Sequence, residues 1–147
     1  MRRYVSSPAA SLRAGAILAG LALAMPAAAE PGVTPIRFAP GTSSAEVSGS
    51  VERGGRAVYS LGARAGQTMR LRVTAVEQNA AVQVWLPGAS LPADDTMGEI
   101  TGQTLPGAGE GQDATAWSGQ LPRTGTYLVV VGPTRGGASY TLRVSIE

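Results

Sequence analysis

TMRLRVTA, residues 68–75, and SYTLRVSI, residues 139–146, decide the fold. In the first, Met69, Leu71, Val73 and Ala75 alternate with Arg70, Arg72 and Thr74. In the second, Tyr140, Leu142, Val144 and Ile146 alternate with Thr141, Arg143 and Ser145. Successive side chains of a strand point to opposite faces, so this period of two puts one apolar face inward and one polar face in water. Half-buried antiparallel strands have this signature.

Outward from these two segments, shorter strands are expected between turn residues. They are Ile36-Arg37-Phe38, 45–51 (AEVSGSV), 56–61 (RAVYSL), 81–86 (AVQVWL) and 114–121 (ATAWSGQL). YLVVV at 127–131 is apolar on both faces and reads as a central strand. Glu52-Arg53-Gly54-Gly55 reads as a hairpin turn, and Gly132 to Ala138 as the last loop. About eight short strands separated by turns, with no amphipathic helix, predict an all-β fold: a single antiparallel β-sandwich, jelly-roll-like in outline. The exception is 87–113, rich in Gly, Pro and acidic residues and without periodicity. It is expected to be a long irregular loop, either functional or disordered.

The N-terminus is of a different kind. Arg2 and Arg3 precede the uncharged apolar run 14–25, AGAILAGLALAM, and Pro26-Ala27-Ala28-Ala29 follows. That is the pattern of a cleaved secretory signal. The run is 12 residues, short of the ~20 needed to span a bilayer. Residues 1–29 are therefore expected to be removed, leaving 30–147 as one domain, periplasmic or secreted, with no membrane span.

All 12 basic residues are Arg, and Arg2, Arg3 and Arg13 fall in the signal. The remaining 9 face 10 acidic residues, giving the mature chain a charge of 9 − 10 = −1. Without a basic run, a nucleic-acid partner is not expected. The chain has no Cys, no His and no Lys. Thiol proteases, Ser-His-Asp hydrolases and lysine Schiff-base chemistry are thereby excluded, and a zinc site loses its usual ligands. No enzyme and no cofactor are expected.

Three stretches carry a resemblance. They are RFAPGTSSAEVSGSVERGGRAVYSLGARAGQT at 37–68, VQVWLPG at 82–88 and WSGQLPRTGTYLVVVGPTRGGASYTLRVSI at 117–146. Together they resemble the bacterial pre-peptidase C-terminal (PPC-like) β-sandwich, and within it most nearly the periplasmic inhibitors of goose-type (g-type) lysozyme. The shared order is Ser-Gly … Tyr … Ala-Gly-Gln, then Gly-x-Leu-Pro-x-x-Gly-x-Tyr. The resemblance implies an inhibitor whose loops plug a lysozyme cleft, with polar, basic and aromatic side chains reaching the catalytic carboxylates. Thr134-Arg135 lies in the matching last loop. Gly136-Gly137-Ala138 stands where such inhibitors have a longer loop with a further Arg, and Arg53-Gly54-Gly55-Arg56 stands where an aromatic can occur.

Several side chains are candidates for contact with a lysozyme, another glycan-cleaving enzyme or an envelope glycan. Arg135 is either an inhibitory finger or a solvated loop arginine. Arg53 and Arg56 flank a Gly-Gly turn and could share a binding edge with it. Trp85 is out of phase with Val82, Val84 and Leu86, so it belongs on the outer face, where it could stack on a sugar, or beneath the long loop. Trp117 is expected in the core. Asp94, Asp95, Glu99, Glu110 and Asp113 fit no calcium-loop spacing, and no metal is assigned to them. They are also not held in place as paired carboxylates for glycoside hydrolysis would be. Three functions remain in view: inhibitor of a glycan-cleaving enzyme, glycan- or envelope-binding module, and structural envelope protein.

Overall fold

The computed structural model describes residues 32–92 and 98–147. The strands are β1 (Val33–Pro35), β2 (Ser44–Val51), β3 (Ala57–Ala63), β4 (Thr68–Ala75), β5 (Ala80–Trp85), β6 (Ala116–Gln120), β7 (Gly125–Pro133) and β8 (Ala138–Ile146). They form two four-stranded sheets, β1-β3-β7-β5 and β2-β8-β4-β6, packed face to face as a sandwich. The expected export signal, 1–29, lies outside the described residues.

Alternation sets the core. Met69, Leu71 and Val73 of β4 and Tyr140, Leu142, Val144 and Ile146 of β8 meet Tyr59, Leu61, Val82, Val84, Tyr127, Val129 and Val131 of the other sheet. All are buried. β7 lies between β3 and β5 and is buried on both faces. Its outward residues, Leu128 and Val130, form a second cluster with Val33, Val58, Trp85 and Ile100.

The structure corrects two expectations. The first strand is Val33–Pro35 rather than 36–38, and it pairs parallel to β3, so the sandwich is not wholly antiparallel. The turn at 52–55 is tight, with the Gly55 N–H donating to the Glu52 carbonyl at 2.8 Å, yet it joins no hairpin. Strand β2 pairs with β8, and β3 with β7, so this turn carries the chain from one sheet to the other. Local turn chemistry fixes a reversal but not which strand becomes the neighbour.

The long loop is irregular in its described part, as expected, and it is held in place. Its described part is packed against β5, with Leu105 N–H donating to Val84 O at 2.9 Å, Val84 N–H to Ala108 O at 3.0 Å and Leu86 N–H to Gln103 O at 2.8 Å. Leu105 and Ala108 enter the main core, and Ile100 the second cluster. At Ala114–Thr115 the chain crosses between the sheets: Val82 N–H donates to Ala114 O at 2.7 Å, and Val73 N–H to Thr115 O at 2.8 Å. The free edge of β5 is thus covered, which removes a template for edge-to-edge association.

Between the sheets, the Tyr59 and Tyr140 hydroxyls are 2.5 Å apart and hydrogen-bonded. Burial, reinforced by that bond, holds the Tyr140 pKa well above its ordinary value. Gly49 lies opposite Tyr140 on β2. A Cβ there would sit 2.7 Å from the Tyr140 hydroxyl oxygen and 3.4 Å from that of Tyr59. Gly49→Ala is therefore expected to destabilise the fold by about 1–3 kcal/mol, as overpacking of a filled interior does. Urea unfolding checks this, and an unchanged midpoint would show that the tyrosine pair yields freely.

Candidate functional site

Pairing register gathers three turns at one end of the sandwich. Val51 faces Ala138, Ala57 faces Val131, Ala75 faces Tyr140 and Ala80 faces Pro133. The segments leaving these positions, 52–56, 76–79 and 134–137, must therefore be neighbours. The first and last touch directly, since a Cβ on Gly137 would lie 3.1 Å from the Val51 carbonyl oxygen and 3.8 Å from the Arg53 nitrogen.

Asn79 fastens the middle turn to the last loop. Its side-chain oxygen accepts from the Arg135 N–H at 2.7 Å and the Thr134 hydroxyl at 3.0 Å. Its amide nitrogen donates to the Gly137 carbonyl at 2.8 Å and to that of Arg135. The Thr134 N–H donates to the Asn79 carbonyl at 3.1 Å. One side chain thus holds the backbone of the loop, while the Arg135 guanidinium makes none of these bonds. The ion pairs among the described residues are Glu46–Arg143 and Arg70–Glu147, so Arg135 and Arg53 face no intramolecular carboxylate there. Both are exposed.

The remaining candidates are placed differently. Arg56 turns onto the long loop, donating from a terminal guanidinium nitrogen to the Gly98 carbonyl at 2.6 Å, with its Nε buried. It lines a cleft of about 190 Å³ together with Thr134, Glu110 and Asp113. Arg56 therefore braces the site rather than standing free at its edge. Of the two positions open to Trp85, the structure gives the one beneath the long loop. The residue is buried in the second cluster, and its indole N–H donates to the Gln83 side chain at 3.2 Å. Trp117 packs half-buried against the main core and donates to the Pro106 carbonyl at 2.8 Å, tying the loop down. The Trp85 indole is therefore not the open platform that sugar stacking needs. Glu99, Glu110 and Asp113 are exposed, Asp94 and Asp95 lie outside the described residues, and no metal-holding cluster occurs among the described residues.

Sequence reasoning missed Asn79. Its signal was the break in alternation at Val76-Glu77-Gln78-Asn79 immediately after β4. It also missed a concavity of about 780 Å³ on the outer face of β2-β8-β4-β6, where register brings Glu46, Arg143 and Arg72 into one row. The outward parity of those residues was legible, but their cross-strand company was not. Arg143 Nε lies 2.5 Å from Glu46, and Arg70 lies 3.9 Å from Glu147, so most of that charge is matched on exposed surface.

These features define a class: a small β-sandwich that presents ordered loops at one end. No family model and no curated protein matches the chain. Solved structures do. The periplasmic inhibitor of g-type lysozyme (PliG) from Aeromonas hydrophila is 30% identical, with a TM-score of 0.59, over 78% of this chain and 96% of that one. PliG of Salmonella Typhimurium (20% identity, TM-score 0.56, covering 80% of this chain and 100% of that one) shares the fold. So does a PliG mutant from Escherichia coli (20%, 0.55, 78% and 97%). The chain belongs to the PliG family of periplasmic g-type lysozyme inhibitors. Its relatives are inhibitors and not enzymes, and no helix among the described residues is long and apolar enough to cross a membrane.

Proposed function

We propose that the chain is exported with loss of residues 1–29 and inhibits a g-type lysozyme by inserting Arg135 into the enzyme's carboxylate-bearing cleft. The observation that carries this is the last loop, whose backbone Asn79 holds at both N–H and carbonyl while the Arg135 side chain stays exposed. A fixed backbone lowers the ordering cost of binding. A guanidinium fork matches a carboxylate with two parallel hydrogen bonds. Thr134 and Arg53 flank the finger on the same end, and Arg56 supports it from the cleft behind Thr134.

The test is a lysis assay on permeabilised cells with residues 30–147 and goose-, chicken- and invertebrate-type lysozymes. Inhibition of the goose-type enzyme at micromolar protein or below is expected. No effect on any of the three enzymes would remove the proposal.

A further inference from the structure

The turn after β4, which supplies Asn79 to the last loop, is built unusually. Val76 is 80% exposed and is the exposed large hydrophobic residue among the described ones. An isolated exposed valine needs no explanation by itself, but this one sits on a strained backbone. Glu77 has φ 58° and ψ 19°, and Gln78 has φ 54°, so two consecutive side-chain-bearing residues are left-handed. Such conformations persist only where the surroundings over-determine them, and they cluster at binding sites.

What over-determines the turn is Asn79. Its N–H donates to the Val76 carbonyl at 3.3 Å, while its side chain holds Thr134, Arg135 and Gly137. Val76 and Arg135 are thereby mounted on one rigid unit. Beside Val76 a shallow depression is lined by Thr74, Ala75, Ser139, Tyr140 and Thr141, none of them charged at neutral pH. Four of those five carry hydroxyls, so Val76 is the part of this surface that gains by meeting an apolar one.

We propose that Val76 is a second contact residue, docking on an apolar patch beside the acidic cleft that receives Arg135. This rests on the inhibitor reading and extends it: the partner must carry a carboxylate groove and an adjoining apolar rim at the spacing Asn79 sets. Burying one valine is worth enough to matter, since aliphatic side chains gain from leaving water.

The experiment compares Val76→Ser, Val76→Leu and Arg135→Ala in residues 30–147, measuring the inhibition constant against a g-type lysozyme at low and high salt, with Tm alongside. Val76→Ser should leave Tm unchanged and weaken inhibition about tenfold, or ~1.4 kcal/mol, by a factor that salt does not alter. Val76→Leu should stay within about threefold of the parent, because it keeps the apolar surface. The Arg135→Ala loss should shrink as salt rises. Parent-like inhibition by Val76→Ser beside a weakened Arg135→Ala would overturn the Val76 contact and leave the inhibitor reading standing. A loss in Val76→Ser that tracks a fall in Tm would also overturn it. Failure of the parent chain to inhibit would remove both.

Discussion

Arg135→Ala is expected to weaken inhibition of a g-type lysozyme at least tenfold without changing Tm. The two halves of this expectation have separate causes. Stability should hold because the loop is tied by the backbone of Arg135, through its N–H and carbonyl, and not by its guanidinium. An exposed side chain with no ion partner among the described residues can be truncated within about 0.5 kcal/mol. Binding should fall because a lysozyme cleft keeps its carboxylates partly desolvated, and removing one member of such a charge pair costs ~2–5 kcal/mol. Every 1.4 kcal/mol is about a tenfold change. Arg135→Lys should lie between parent and alanine, since an ammonium keeps the charge but loses the planar fork. The loop lacks the further Arg of the longer-looped inhibitors that the sequence resembles, so no second guanidinium of the same loop takes over from Arg135. Titrating each variant into a lysis assay gives the inhibition constants. An alanine variant as potent as the parent would take the finger role from Arg135.

What could be read in advance depended on how local the cause was. The inward parity of Met69, Leu71 and Val73 is a property of one strand, and it survived intact. So did the two-faced burial of 127–131, because a strand apolar on both sides has nowhere to go but the middle of a sheet. The motif residues behind the family resemblance prove to be packing devices. Gly49 makes room for the Tyr59–Tyr140 pair, and a Cβ on Gly119 would sit 2.9 Å from the Trp117 ring. The Tyr127 hydroxyl donates to the Arg123 carbonyl at 2.6 Å, closing the Leu-Pro-x-x-Gly-x-Tyr turn. They fix the sandwich and say nothing of a ligand, so fold was more legible than site. The parallel pairing of Val33–Pro35 and the sheet change at 52–55 depend on partners far away in sequence, and no short window contains them. Asn79 escaped for the same reason, since its meaning lies in Arg135, 56 residues on.

Leu105→Ala is expected to destabilise the domain by about 2–5 kcal/mol, the range for deleting a buried leucine side chain. By composition Leu105 belongs to a Gly- and Pro-rich stretch that could hang loose, where truncation would cost no more than ~0.5 kcal/mol. In the fold it is 2% exposed and part of the main core, with its N–H on the Val84 carbonyl at 2.9 Å. Neighbouring bonds from Val84 to Ala108 and from Leu86 to Gln103 keep the segment pressed on β5, so the site has little freedom to collapse around the lost atoms. Incomplete collapse leaves a cavity, and the cavity adds to the lost transfer energy. At roughly 4 °C per kcal/mol for a domain of this size, Tm should fall by about 8–20 °C. Periodic alternation failed to reveal this segment because it is bound through isolated bridges at Trp85–Thr104 and Val82–Ala114 and not through a continuous ladder. A Tm within about 2 °C of the parent would show that 98–113 is an appendage of the sandwich and not part of its core.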